Sequence, residues 1–255
     1  AGYQVLILET AEPAAIRRQV SFCEAVYEGT ATVEGVTAER IYTAKKQAVE
    51  EVLQRGRIPL LVDPDGRSIE VLKPDVVVDA IIAKKNLGTY KEMAPLVIGI
   101  GPGFVAGKDV HLVVESMRGH NLARILETGS ALANTGIPGN IGGYTKERVI
   151  HAAAEGYMKN LHQIGDVVRK GEKIARIYEQ MSPEGVFSGR FVSVEATIPG
   201  VLRGLIREGY HFQKGFKIAD IDPRESELAN CFTISDKASS IGGSVLEAVC
   251  RYVNG

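Results

Sequence analysis

The sequence predicts an α/β protein: a mostly parallel sheet in residues 1–145, an all-β module in 146–222, and a C-terminal helical segment in 223–255 that packs back on the sheet. Three observations carry this prediction. Short apolar runs in the first half end in an acid or a glycine, and two glycine-rich segments in the second half repeat each other. Near the C-terminus an apolar stripe at helical spacing predicts a helix that Ser235 or Asp236 can cap; the stripe consists of Ile241, Val245, Val249 and Val253.

Five apolar runs predict strands that are buried on both faces, as is typical of parallel sheets. They are Tyr3–Leu8, Ile58–Val62, Val76–Val78, Leu96–Ile100 and Val110–Val114. A helix between the first two is predicted to start at Thr43 and to stop at Gly56. Strands that alternate with helices predict one open sheet, in which ligands gather at the carboxyl ends of the strands.

Glu9 closes the first apolar run. In dinucleotide-binding, Rossmann-like folds an acid at the end of the second strand holds a ribose hydroxyl, so Glu9 is a candidate ribose ligand. The alternative is a strand-end acid that faces solvent. The strand and the G-x-G-x-x-G turn that precede such an acid are absent here, and we expect this chain to begin after them.

A glycine-rich segment follows the fourth run and predicts a loop that cradles an anion, because its backbone N–H groups can approach a ligand closely. Its candidate ligand-binding residues are Gly99, Gly101 and Gly103. The alternative is a structural loop, since the G-K-[ST] of a phosphate loop is missing.

Polar residues near the ends of the predicted strands are further candidates for ligand contacts. They are Arg17, Asp79, Lys84, Asn86, Asp109, His111, Arg118 and His120. Among them, a guanidinium such as that of Arg118 matches phosphate or carboxylate with two parallel hydrogen bonds. The imidazoles and carboxylates are too dispersed along a strand to predict a metal site, and hydrogen-bonded structural roles remain the alternative for each residue.

The second half contains an internal repeat. Three glycines of the first unit (Gly156, Gly165, Gly171) match three of the second (Gly200, Gly209, Gly215), and each unit ends in a Lys-Ile-Ala segment. Matching glycines predict matching turns, so we expect two units of short strands around a shared core.

This pattern resembles the barrel-sandwich hybrid of biotinyl and lipoyl carrier domains. Those carriers display a modified lysine between the two halves, whereas Tyr178–Pro199 contains no lysine. The resemblance therefore implies the fold with no biotin or lipoyl attachment.

Composition and charge exclude several classes of protein. The net charge of −1 gives no basic surface for nucleic acid, and no apolar run is long enough for a membrane span. The cysteines, Cys23, Cys231 and Cys250, are odd in number and widely spaced, which favours a reducing cytoplasm.

Segments along the whole chain resemble the YqeB family of selenium-dependent molybdenum hydroxylase system proteins. The segments that carry this resemblance are Arg17–Phe22, Glu24–Gly29, Lys73–Ala80, Ala83–Asn86, Met93–Gly99, Gly101–Phe104, Asp109–His111, Arg118–His120, Gly136–Gly139, Ile141–Arg148, Asp220–Arg224, Cys231–Ala238 and Ile241–Gly243.

The resemblance implies a cytoplasmic accessory protein for the maturation of such hydroxylases, with the hydroxylase or its maturation machinery as partner. The predicted ligand is a nucleotide or a molybdopterin-type cofactor bound at the strand ends. Two alternatives stay open: an NAD(P)-dependent small-molecule oxidoreductase, and a scaffold that binds the hydroxylase without chemistry. Homo-oligomerisation is also left open.

Overall fold

The computed structural model describes residues 2–136 and 139–255. It is a mixed α/β fold with four small four-stranded sheets, few helices and a C-terminal helix. The predicted motif Gly136–Gly139 includes residues 137 and 138, which lie outside the described part. Within the described ranges, no helix combines the length and the apolar character that crossing a membrane requires.

Strands account for most of the regular structure. They are β1 (Ile7–Glu9), β2 (Thr30–Val33), β3 (Val36–Ile41), β4 (Ile58–Val62), β5 (Val76–Asp79), β6 (Leu96–Ile100), β7 (Leu112–Val114), β8 (Ile125–Leu126), β9 (Val149–His151), β10 (Gly156–Asn160), β11 (Val167–Val168), β12 (Lys173–Met181), β13 (Phe187–Glu195), β14 (Gly200–Leu205), β15 (His211–Phe212) and β16 (Lys217–Asp222). The α-helices are α1 (Ala25–Glu28), α2 (Lys46–Gln54), α3 (Ser68–Leu72) and α4 (Asp236–Asn254).

The parallel strands form two sheets, which corrects the expectation of one open sheet. The first has the order β1-β4-β3-β2 and the second β5-β6-β7-β8; in each, three strands run parallel and the last is antiparallel. The most apolar strands, β4 and β6, both start and end where the sequence predicts. Each is central in its own sheet, because a strand that is apolar on both faces needs a neighbour on both sides.

Helices are fewer than the predicted alternation requires. α2 lies between β3 and β4, close to the predicted range. The residue at its N-cap position is Lys45, whereas the sequence predicts Thr43 there. No α-helix joins β5 to β6 or β6 to β7 among these fully described connections. The hairpin of β2 and β3 was not predicted, since its alternating polar and apolar residues form no continuous apolar run.

The internal repeat is visible in the strands. β10, β11 and β12 of the first unit correspond to β14, β15 and β16 of the second. β10 pairs with β12 of its own unit and β15 of the other, while β14 pairs with β16 of its own unit and β11 of the other. Each unit thus completes the sheet of its partner.

The two units share one core, as the repeat predicts. Its buried residues include Met158, Ile174 and Ile177 of the first unit and Leu202 and Ile218 of the second. Two small sheets that exchange strands cannot bury their apolar faces separately, so the repeat is stable only as a pair.

The C-terminal helix α4 packs on the second parallel sheet. Of the two predicted caps, Ser235 and Asp236, it is Ser235 that caps the helix, by accepting a hydrogen bond from the backbone N–H of Ala238. Ile241, Val245 and Val249 of the predicted stripe contact the β6 and β7 core, whereas Val253 is exposed. This packing carries the start of α4 to the carboxyl ends of β6 and β7.

Candidate anion-binding site at the carboxyl ends of β5, β6 and β7

Three loops meet where β5, β6 and β7 end. Asp79 on β5 lies beside Gly99 on β6, and Ile100 lies beside Val114 on β7. A Cβ on Gly103 would lie 2.7 Å from Cα of Lys85, and one on Gly101 would collide with Oγ of Ser116. The loops therefore approach so closely that side chains at these glycines are excluded. We call this edge the carboxyl rim.

Asp79 and Asn86 shape the loop that follows β5. The buried Asp79 carboxylate accepts hydrogen bonds from the backbone N–H of Ile81 (3.0 Å) and the hydroxyl of Thr89 (2.6 Å). The Asn86 side chain accepts from the N–H groups of Gly88 and Thr89 and donates to the Thr89 carbonyl. Both predicted ligand residues thus hold the loop in place through contacts inside it.

The same loop presents Lys84 at the rim. Its backbone has φ +63°, and Ile82 before it has φ +59°, a region that β-branched residues rarely adopt. Strain of this kind persists only where neighbouring contacts impose it, and the hydrogen bonds to Asp79 and Asn86 supply them. The result is a fixed loop with an exposed ammonium group.

Arg118 reaches the start of α4. Its two terminal nitrogens donate to both oxygens of Asp236, at 2.7 and 2.9 Å. This paired geometry is the one that guanidinium groups adopt with phosphate as well as with carboxylate. The positive end of the α4 dipole lies at the same point, so the surroundings favour negative charge.

Lys237 completes a group of three basic side chains at the rim. Burial lowers the pKa of the Lys237 ammonium, the nearby charges of Arg118 and Lys84 lower it further, and Glu115 opposes them. Glu115 is itself buried and accepts hydrogen bonds from the N–H groups of Met117 and Leu132. Lys84 and Arg118 therefore both lie within electrostatic reach of Lys237.

The Arg118–Asp236 pair gives a testable pH dependence. The Arg118 guanidinium, followed by the Lys237 backbone N–H, lowers the pKa of Asp236 from 3.8 to about 2. Because the folded-state pKa is depressed, the pair contributes stability above about pH 4 that is lost as the pH falls towards 2. In Arg118→Met we expect the Asp236 pKa to rise towards 3.8, measured by carboxyl ¹³C NMR. An unchanged pKa would contradict the pairing.

Several predicted site residues lie away from the rim. His111 accepts a hydrogen bond at Nδ1 from the N–H of Val97, near the amino end of β6, and Asp109 accepts one from the N–H of Val105. Parallel strands require the chain to return to the amino edge before β7 begins, so Asp109 and His111 do not share a site with Arg118. Burial and Lys91 lower the pKa of His111.

The remaining predicted site residues lie in three separate places. Glu9 ends β1 in the other parallel sheet, where its carboxylate accepts from Thr10. Arg17 donates to the carbonyls of Asn230 and Thr233, which corrects the expectation that it reaches the strand ends. His120 is exposed on the loop after β7.

The sequence reasoning missed Lys237 and Asp236 as rim residues. Their signal was the predicted cap at Ser235 or Asp236, which marks a helix N-terminus, but nothing in the sequence places that terminus at the ends of β6 and β7. Ser116 was missed because its only signal is its position after a buried strand.

The repeat module forms a wall beside the rim. Gly139 links the two: a Cβ added there would lie 3.7 Å from Cδ of Arg118, and the Gly139 carbonyl accepts from Arg148, which precedes β9. Arg203 on β14 also acts electrostatically on Asp236, lowering its pKa. The rim is thus bordered by basic residues from both halves of the chain.

Comparisons with known proteins give a relative in sequence and likenesses to solved structures. No protein-family model matches the chain. The chain resembles two solved structures, product-bound ectoine utilization protein EutE (DoeB) from Ruegeria pomeroyi and a succinylglutamate desuccinylase/aspartoacylase from Rhodobacter sphaeroides. Both are 13% identical, with 87% of this chain and 85% of the other covered and TM-scores of 0.29 and 0.28. Scores this low carry no argument about fold or function.

The relative is the Escherichia coli (strain K12) protein called "Uncharacterized protein YqeB". It is 47% identical over 254 residues, which are 100% of this chain and 44% of that protein, so the chain spans less than half of its length. Identity at this level along the whole chain supports the assignment of these 255 residues to the YqeB family.

Proposed function

We propose that this chain is part of an accessory protein for the maturation of selenium-dependent molybdenum hydroxylases. Its role is to bind a phosphate-bearing ligand, a nucleotide or a molybdopterin-type cofactor, at the carboxyl rim. The partner is the hydroxylase or its maturation machinery, and the compartment is the cytoplasm.

One observation supports the binding part of this proposal: Lys84 and Arg118 act electrostatically on Lys237 at a rim built from glycine-containing loops and a helix N-terminus. Three cations held together repel one another, and an anion that bridges them removes this cost. The Asp236 carboxylate contacts the terminal nitrogens of Arg118. A ligand phosphate that displaced Asp236 would accept from the same nitrogens in the same paired geometry.

The proposal extends to the fold of three parts of the chain. We regard residues 1–145 as a Rossmann-like domain, 146–222 as a barrel-sandwich hybrid, and 223–255 as the helical segment that joins them. In support, the ends of parallel strands carry the basic rim, and strand exchange between the two repeat units creates a compact β-module beside it.

The test is titration of the protein with ATP, NADH and molybdopterin by isothermal calorimetry. We expect heat from a phosphate-bearing ligand and at least a roughly tenfold weaker affinity in Arg118→Met and Lys84→Met, since each removes a charged contact. Lys108→Met is the matched control: this exposed lysine lies before β7, at the opposite edge of the sheet, and its removal should leave affinity unchanged.

The outcomes separate the competing functions. Binding of NADH alone would favour an oxidoreductase over a maturation protein. If neither this chain nor full-length E. coli YqeB binds any of the three ligands, the ligand-binding role is overturned. Retention of a hydroxylase partner by the Arg118→Met variant in a pull-down would then favour a scaffold.

A further inference from the structure

A second group of basic side chains lies on the outer face of the sheet with the order β11-β14-β16-β9. Arg203 is on β14, Lys217 is on β16, and Arg148 directly precedes β9. The register pairs Asp220 of β16 with Val149 on one side and with Gly204 on the other. The sheet thus brings residues from three separate parts of the module to one place.

The N-terminal segment adds Arg17 to this face. Ile16 packs against Gly204, where a Cβ would lie 2.8 Å from its Cγ2, and the Ile16 carbonyl accepts from the N–H of Leu205 at 2.9 Å. These contacts hold Arg17 over β14. We call Arg17, Arg148, Arg203 and Lys217 the module cluster.

Two carboxylates, Asp220 and Asp222, share this face, and they do not balance the cluster. Arg224 takes both oxygens of Asp222 through its side chain, at 3.0 and 2.9 Å, and leaves Arg203 at 3.9 Å. Asp220 contacts Arg148 only at 3.4 Å. Within the described ranges, Lys217 has neither a hydrogen bond nor an ion pair from its ammonium group.

Two guanidinium N–H groups in the cluster are buried without an acceptor. They are Nε of Arg148, a residue that is only 4% exposed, and Nε of Arg17. A buried charged donor without a partner costs free energy, and such groups in native proteins call for an explanation such as a bound ion.

Electrostatic effects agree with this geometry. Burial lowers the pKa of Lys217, and the charges of Arg148, Arg203 and Arg17 lower it further against the opposing effect of Asp220. Burial and Arg203 likewise lower the pKa of Arg17. Arg17, Arg148 and Arg203 therefore all lie within electrostatic reach of Lys217.

We propose that the module cluster binds a small tetrahedral dianion, the phosphate or sulfate class, at a site separate from the carboxyl rim. The module cluster and Arg224 together face only Asp220 and Asp222, so positive charge is in excess, and a dianion offsets this excess. Tetrahedral oxygens can accept from several guanidinium groups at once, including the two unpartnered Nε–H groups. The site does not depend on the ligand proposed for the rim.

The test is titration of the protein with inorganic phosphate, with chloride at matched ionic strength as reference. We expect a phosphate-dependent rise in melting temperature, and shifts of the Arg17 and Arg148 Nε–H resonances in ¹H–¹⁵N NMR. Sulfate should act similarly, since the site recognises the shape and charge of the ion.

Lys217→Met is the informative variant, because the ammonium it removes has no bonded partner in the described structure and the fold should tolerate the change. Without phosphate we expect it to melt at a higher temperature than the parent, since one buried repulsive charge is gone. With phosphate we expect its affinity to fall at least tenfold. Lys214→Met, which changes an exposed lysine three residues earlier, is the matched control and should behave as the parent does.

Two results would overturn the proposal. The first is the absence of any phosphate-dependent shift of the Arg17 and Arg148 Nε–H resonances. The second is phosphate binding that Lys84→Met abolishes and Lys217→Met leaves intact, which would place the anion at the rim and support the proposed function alone.

Discussion

Replacing Gly200 with alanine is expected to destabilise the β-module by about 4 kcal/mol or more, among the largest effects of a single substitution. Gly200 begins β14 with φ +145°, a conformation that L-residues rarely adopt. An added Cβ would also collide with the Asp222 carbonyl and lie 2.8 Å from Cα of Pro223, and both are backbone atoms that cannot move aside. Urea unfolding followed by circular dichroism measures the loss.

The repeat supplies matched comparisons for this prediction. Gly156 begins β10 with φ +153° and would meet the Tyr178 carbonyl, so its alanine variant should be as damaging. Gly171 and Gly215 also have positive φ, but nothing lies within 4 Å of an added Cβ. Their alanine variants should lose only about 1–2 kcal/mol from the backbone conformation. Equal losses at all four positions would contradict the argument from close approach.

Replacing Asp222 with alanine is expected to cost about 3 kcal/mol, since it removes a buried carboxylate that accepts three hydrogen bonds from the half-exposed Arg224. The Asp222 side chain is only 2% exposed, and it accepts from the backbone and the side chain of Arg224. Its loss also removes one of the two carboxylates that offset the module cluster. Chemical denaturation at pH 7 gives the change in free energy of unfolding.

Asp236→Ala is the control for burial. Asp236 forms the same two-oxygen contact with an arginine, but its side chain is 71% exposed. Water screens such a pair, so we expect a loss below about 1 kcal/mol. A loss at Asp236 that matched the loss at Asp222 would show that burial does not decide the strength of these pairs.

Part of the fold follows directly from local sequence. The apolar runs of β4 and β6 have no polar face, so they could only be buried central strands. The glycines at 156 and 200 mark conformations that other residues avoid, and this is why the repeat could be recognised. The cap at Ser235 and the stripe of Ile241, Val245 and Val249 predicted α4.

The candidate site was predicted less completely. Arg118, Lys84 and the glycines at 101 and 103 lie at the carboxyl rim, as expected for residues that follow parallel strands. Asp109 and His111 were grouped with them because they are near in sequence, but the return of the chain to the amino edge separates them. Lys237 lies far away in sequence and reaches the rim only because α4 packs on β6 and β7.

The amino-acid sequence alone determined the bounds of the central strands β4 and β6, where the last helix starts and that two equivalent units form the β-module, because these features depend on local polarity and backbone freedom. The tertiary structure decided that the parallel strands divide into two sheets, that Arg17 joins the β-module, and that basic residues distant in sequence share two small regions. Charge repulsion and burial depend on which residues meet in space, so no local sequence pattern predicts them.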